Sequence, residues 1–530
     1  MASPGIQTRE TDRTLSINNV VANATGYVGM FRWGPANEVV TITTNESELV
    51  RRFGRPDNAT SVFFHSALNY LLYTNPLMVV RTVGSGALNA VPTLETPMLV
   101  KNSMDYDTLP LDGLSFIGRY PGQLANGIII SAADDQDYDN WEYSDEFDFA
   151  PTGDSFNVVV VDGSGMISGT AGTIIERFPL LSKTEGAKRT DGTSAYINDV
   201  FNTQSNYVLP GDLDAITFAA SDSLGVYETT LQGGADDNVV ANADFESAWL
   251  QFENSELFDV IRVFTSGSPA SAVSTAIDVC TGREDAVAFN APPLDVVFNN
   301  LSATEDIIAY FNTDINKNTS YAFHVDNWKL VNDKYNNKNI WIPCDSDAAA
   351  LHARVFIQNE PWFSPAGLNR GQLRNVIKLA WNPNKTKRDS LYKNHINSIV
   401  SFQGEGTVLF GDKTALRRPS AFNRINVRSL FLVLKKNIAN SARYQLFELN
   451  DAITRGIFRT ATNQYLDQVE ARRGLEDKLV VCDEANNDAQ VRQNNEFVGD
   501  IYLKPTYSIN NIRLNFIAVG ASVSFTEVEG

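Results

Sequence analysis

Residues 61–83 read SVFFHSALNYLLYTNPLMVVRTV. Val62, Phe63, Ala67, Tyr70 and Leu71 recur at helical spacing, and Leu77 to Val83 is a short apolar run bounded by Asn-Pro and Gly, the pattern of a buried strand. Upstream, TGYVGMF (Thr25 to Phe31) is another such run, so the region predicts a β-α-β unit. The alternation returns much later, with strands at Val260 to Phe264, Ala286 to Asn290 and Tyr321 to Val325, and helices near Ala270 to Cys280 and Ala303 to Phe311. One α/β domain, residues 21–83 and 242–358, is therefore expected, interrupted by an insertion.

The insertion, residues 84–241, is rich in Gly, Asp, Ser and Thr and carries strand-like runs at Gly127 to Ser131 and Asn157 to Asp162, which predicts a β-rich surface domain. Asp134 to Asp154 holds nine acids and no base, too charged to bury, so it is expected to be solvated and replaceable by a short linker at little cost.

Residues 359–530 have a different texture. A strand at Thr407 to Phe410 is followed by two helices. Asn426 is placed to cap the first, with Val427, Leu430, Phe431, Leu434 and Ile438 on one face. Asn450 or Asp451 is placed to cap the second, with Ile453, Ile457, Ala461 and Tyr465 inward and Gly474 past its end. Ile512, Leu514, Phe516 and Ala518 alternate as in a half-buried strand. Short extended arms are expected at Ser3 to Ser16 and Ala521 to Gly530.

A chain of 530 residues exceeds what one core supports, and about three domains is the prior. No apolar leader opens it and no stretch reaches the roughly 20 residues of a spanning helix, so neither export by a signal peptide nor membrane insertion is expected. Cys280, Cys344 and Cys482 are too few and scattered for a disulfide framework and read as buried thiols. The net charge of −20 is uneven: Pro361 to Leu475 has 19 Lys and Arg against 7 Asp and Glu, leaving −32 on the remainder. That basic region carries no nucleic-acid fold signature, and its best match is an acidic protein surface, including other copies of the chain.

Signs of chemistry are sparse. His65, His324, His352 and His395 show no metal-ligand spacing, and no GxSxG elbow marks a nucleophile. Gly406 to Thr414 (GTVLFGDKT) resembles a phosphate loop but places Asp412 before the lysine, where an acid repels phosphate, so it reads as a strand and a tight turn. No catalytic, metal or cofactor site is expected.

Collinear segments resemble the tail sheath family of contractile phages: SPGIQTRE (Ser3 to Glu10), TGYVGMFRWGPAN (Thr25 to Asn37), FGRP (Phe53 to Pro56), and GRYPGQLANGI (Gly118 to Ile128), where Ala125 replaces a family glycine. Further along come PWFSPAGLNRGQL (Pro361 to Leu373), FGDKTA (Phe410 to Ala415) where the family has WGARTL, RINVRSL (Arg424 to Leu430), FELNDAITRGIF (Phe447 to Phe458) and IYLKPTYSINNI (Ile501 to Ile512). The resemblance implies an α/β plus α+β multidomain protein: a subtilisin-like middle domain without protease activity, and a C-terminal core domain joined by an N-terminal arm, residues 1–20. It implies a homo-oligomer of stacked, hexameric rings forming a helical sheath around an inner tail tube, with baseplate and tail terminator as further partners, located in the virion and assembled in the host cytoplasm. Each arm would add a strand to a neighbour, through Ser3, Pro4, Gly5, Ile6 and Arg9 at one end and Ser522, Val523, Phe525 and Val528 at the other. The second C-terminal helix would face the tube, with Arg455 and Arg459, four residues apart, as its contacts. The alternatives are the sheath of a non-viral contractile injection system and an active subtilisin-like hydrolase.

Overall fold

The computed structural model describes residues 23–218, 226–510 and 512–514. They divide into two compact units, one through Asn440 and one from Ser441. The first is built on an eight-stranded sheet of β1 (Ala24–Gly29), β2 (Val39–Ile42), β3 (Leu77–Arg81), β4 (Val260–Phe264), β5 (Val287–Asn290), β6 (Ala322–Val325), β7 (Ile396–Phe402) and β8 (Gly406–Phe410), in the order β8-β7-β6-β5-β4-β1-β3-β2. From β3 to β7 all neighbours are parallel, while β2 and β8 close the two ends antiparallel. Every residue of β4 and β5 is buried, because helices cover both faces of a parallel sheet, which is why these strands read as unbroken apolar runs.

The helix predicted from residue 61 spans Ser61–Leu71 and buries Phe63, Phe64, Ala67 and Tyr70. It also buries His65, Ser66 and Asn69, which periodicity assigned to no apolar face, because a hairpin (Trp328–Asp333 with Lys338–Pro343) covers its other side. There His65 Nε2 lies 3.1 Å from Asp333 Oδ1. The unit continues past residue 358, where sequence texture changes, because β7 pairs with β6 through His324 and Ile396.

At the end of β6, Asp326 is fully buried and accepts the Ile399 N–H at 2.8 Å. Burial outweighs that bond and pushes its carboxyl up to about 7, against an ordinary 3.8. A folded value above the unfolded one means that stability is fully present below about pH 4 and is lost as pH rises through 7, by roughly 1.4 kcal/mol for each pH unit between the two values. Calorimetry between about pH 5 and 8 is expected to show a fall in Tm that Asp326→Asn flattens; an equal slope in the variant would refute the assignment.

Between β3 and the helix Asn242–Leu250 the chain forms a five-stranded antiparallel sheet of Val91–Pro92, Tyr227–Gln232, Ile128–Asp134, Phe156–Asp162 and Thr173–Leu181, with the helix Ile197–Gln204 packed on it. This is the β-rich insertion. Its acidic run departs from expectation. The carboxylates are mostly exposed, but Tyr138 and Trp141 are buried against Ala133, Val159 and Val161, and Trp141 Nε1 donates to Ser131 Oγ at 2.9 Å. Counting charge alone overlooks the aromatic residues interleaved with it, which cover one face of the sheet.

The second unit contains the helix Ala452–Ala471 and an antiparallel pair, β9 (Leu475–Val481) and β10 (Asp500–Pro505). Asp451 caps the helix, accepting from Ile453 N and Thr454 N, whereas Asn450 binds an arginine. Arg473, not Gly474, takes the left-handed conformation at the far end (φ 69°), and Gly474 N donates back to Val469 O at 2.9 Å. The preceding helix, Ile425–Ala442, already includes Asn426, which is buried in the first turn with Nδ2 donating to Trp362 O at 3.4 Å rather than capping from outside. Ile512 and Leu514 are exposed and irregular, so the strand predicted there is not formed by the described residues; Phe516 and Ala518 lie outside them.

Candidate functional site

β9 and β10 run from Leu475 opposite Pro505 to Val481 opposite Asp500, with an irregularity near Leu475, and the sheet has only these two strands among the described residues. Each therefore presents a row of backbone donors and acceptors along its outer edge. Leu479 and Tyr502, directly opposite one another, are both more than half exposed. The helix Ala452–Ala471 packs on β9, and an edge unpaired among the described residues is a template for another strand. The arm residues expected to supply such strands, Ser3, Pro4, Gly5, Ile6 and Arg9, and Ser522, Val523, Phe525 and Val528, lie outside the described residues.

The structure separates the two predicted tube contacts. Arg455 is 3% exposed and its Nη1 donates to Asn450 O at 3.2 Å and Asn450 Oδ1 at 2.9 Å. Arg459 stays near the surface, with Nη1 3.5 Å from Asp483 Oδ2. The reason is helix phase. The inward face holds Phe458, Ala461, Thr462, Tyr465, Leu466 and Val469, recurring every three to four residues, and Arg455 stands three residues before Phe458. A series of fours turns about 40° per step, so Ile453 cannot share a face with Tyr465. Ile453 and Ile457 are accordingly 72% and 44% exposed, which corrects their assignment as inward residues. With Tyr444, Leu446, Phe447 and Leu449, also exposed, they make residues 444–457 conspicuously apolar for a surface.

Elsewhere the titratable groups singled out in the sequence are held inside the fold. His324 is buried and pushed down to about 3, and burial together with Arg262 holds His352 far below its ordinary value. His395 hydrogen-bonds Thr414 O at 3.1 Å. The loop after β8 places Asp412 3.2 Å from Tyr392 OH and 3.3 Å from Arg424 Nη1, an internal tie. The three cysteines are buried and free. Among the described residues no helix is long and apolar enough to cross a membrane, and no group of three or more potential metal ligands occurs.

The fold matches a sheath tail protein from Listeria innocua with a TM-score of 0.55 at 12% identity, over 91% of this chain and 94% of that one. It matches the PVC sheath complex of an extracellular contractile injection system, in the contracted state, with a TM-score of 0.53 at 14% identity, over 98% of both chains. The architecture is thus a mixed α/β, multidomain fold of the sheath type. Profiles of the phage tail sheath protein central domain and the phage tail sheath C-terminal domain match residues 238–415 and 417–518. The tail sheath protein of Salmonella phage ViI is 34% identical over 99% of this chain and 97% of its own length, and that of Enterobacteria phage T4 is 31% identical over 100% and 99%. The chain belongs to the phage tail sheath protein family.

Proposed function

We propose that this chain polymerises as stacked, hexameric rings around an inner tail tube and that contraction of the resulting sheath drives the tube through a host envelope. The observation that carries this reading is the similarity to phage tail sheath proteins along nearly the whole chain; the β9-β10 pair, two-stranded among the described residues, is where extended segments from other copies would add. Full-length relatives at 34% and 31% identity are phage proteins, whereas the injection-system sheath shares 14%, which favours a phage tail over a non-viral machine. Its further partners on this reading are baseplate and tail terminator, and assembly takes place in the host cytoplasm. The interrupted parallel sheet is read as subtilisin-like in topology and non-enzymatic, a reading supported by the internal bonds that occupy its histidines. Residues 1–20 would join a C-terminal core of residues 359–530. Contraction then draws on an extended lattice of higher free energy than the contracted one and needs no hydrolysis.

Tube contact is assigned to Arg459 with the exposed Ile453 and Ile457, while Arg455 shapes the turn before the helix. The Arg459–Asp483 pair is half exposed and contributes only about 0.2 to 1 kcal/mol. Arg459→Glu is therefore expected to change the melting temperature little, to allow tube-free sheath polymers, and to abolish sheath assembled around tubes. Electron microscopy of sheath protein coexpressed with its tube protein reads this out, and tube-filled sheaths from the variant would refute the contact.

A further inference from the structure

The first unit has two chain exits. One is the segment leading into β1, whose first described residue is Asn23; the other is the helix Ile425–Ala442, through which the chain passes into the second unit. Inside the unit they are joined by an unbroken line of hydrogen bonds that runs from the half-buried Asn23 through buried polar groups. Arg262, on β4 beside β1, donates from Nη1 to the Asn23 carbonyl at 2.9 Å and to Asn23 Oδ1 at 2.8 Å. Its Nε lies 3.1 Å from His352 Nδ1 on the helix Asp345–Gln358. His352 Nε2 is 2.7 Å from Ser429 Oγ, and that hydroxyl donates to Ile425 O at 2.7 Å inside the exit helix.

The protons run one way along this line. A guanidinium only donates, so His352 Nδ1 accepts, Nε2 carries the ring proton to Ser429, and Ser429 passes its own to Ile425 O. Arg262, His352 and Ser429 are each at most 1% exposed. Among the described residues Arg262 has no carboxylate within ion-pair distance; it stacks on Phe356 at 4.7 Å, and its Nη2 makes no hydrogen bond. A guanidinium buried without a counter-charge is a poor way to stabilise a core, and apolar residues of the same volume do as well or better. What the arrangement does supply is a tie of fixed geometry.

We infer that Asn23, Arg262, His352 and Ser429 form a mechanical anchor that locks the two exits together, so that a pull on one is passed to the other before β1 is drawn from between β4 and β3. This rests on the proposed function, since the exits carry load only if the arms and the second unit hold neighbouring copies. Its test is independent of assembly: the full-length chain is held at its two ends under constant force, as wild type, as Ser429→Ala, and as Val273→Ala, which weakens the same core outside the line. For Ser429→Ala, unfolding is expected to accelerate under force at least about fivefold more than it does in denaturant without force, whereas Val273→Ala accelerates equally in both. Equal acceleration of Ser429→Ala in both settings overturns the anchor. Should that variant not fold, a handle at the exposed Leu301→Cys, with load entering at the N-terminus, bypasses the exit helix in an otherwise unaltered chain. Unfolding is then expected about fivefold faster than with end-to-end loading at the same force, and equal rates overturn the proposal. Failure of the wild-type chain to form tubes would instead count against the sheath reading and leave these force measurements standing.

Discussion

A chain lacking residues 1–16, or one lacking residues 521–530, is expected to fold and to remain monomeric at concentrations where the full-length protein forms tubes. The argument starts from β9 and β10, a two-stranded sheet whose outer edges are both open among the described residues. The helix Ala452–Ala471 packs on β9 and stabilises the pair, but it pairs with neither edge, and an unpaired edge is a template for another strand. On the reading proposed above, extended arms from neighbouring copies would pair with those edges. A few main-chain hydrogen bonds per arm, at roughly 0.5 to 1.5 kcal/mol each, give on the order of a few kcal/mol per junction. Loss of one junction per copy is multiplied along the polymer, so either truncation is expected to abolish tubes rather than shorten them. Sedimentation and negative-stain microscopy measure the outcome, with circular dichroism confirming the fold. Tubes of ordinary length from either truncation would sink the strand-addition reading.

Much of this architecture was legible because the parallel sheet is buried on both faces. β4 was placed to the residue and β1, β3, β5 and β6 to within two positions, since an apolar run ends where burial ends. The edge strand β2 (VVTI) and the Trp328–Asp333 hairpin were missed for the complementary reason: each is partly exposed and mixes polar with apolar residues, so neither stands out from loop sequence. The helix from Ala452 was found but its phase was not. Ile453 and Ile457 outrank Arg455 as core residues by hydrophobicity, and only the Phe458, Ala461, Tyr465, Val469 series, read in steps of three and four, shows Arg455 to lie on the buried face. The β9-β10 pair was not legible as a site, because which edges stay unpaired among the described residues leaves no trace in the residues of the two strands.

Replacing residues 134–154 by a short Gly/Ser linker is expected to melt the insertion, in contrast to what the charge of the segment suggests. Trp141, 3% exposed, stacks on Phe147 with ring centroids 5.5 Å apart and lies edge-on to Tyr143 at 5.7 Å, and this cluster shields Val159 and Val161 of the inner strand Phe156–Asp162. Truncating one such buried aromatic costs about 3 to 5 kcal/mol, so Trp141→Ala alone is expected to lower the stability of the insertion by that amount. Converting the exposed Asp135, Asp139, Asp145 and Asp148 to Asn is expected to change it by no more than about 0.5 kcal/mol per site, because solvated charges contribute little to a fold. Hydrogen exchange separates the two readings. In Trp141→Ala, protection should fall across Ile128–Asp134, Phe156–Asp162 and Thr173–Leu181; unchanged protection there would show that the aromatic cluster is dispensable. The effect is expected to extend to Trp33, which lies in the insertion's core and donates from Nε1 to Asn206 O at 3.3 Å, and to stop at Arg81. Arg81 is anchored mainly on the side of the parallel sheet, donating to Phe31 O and Gly34 O at 2.7 Å, and its hydrogen bond to the insertion goes to Pro121 O at 2.8 Å, so losing that bond leaves the sheet's own ties in place.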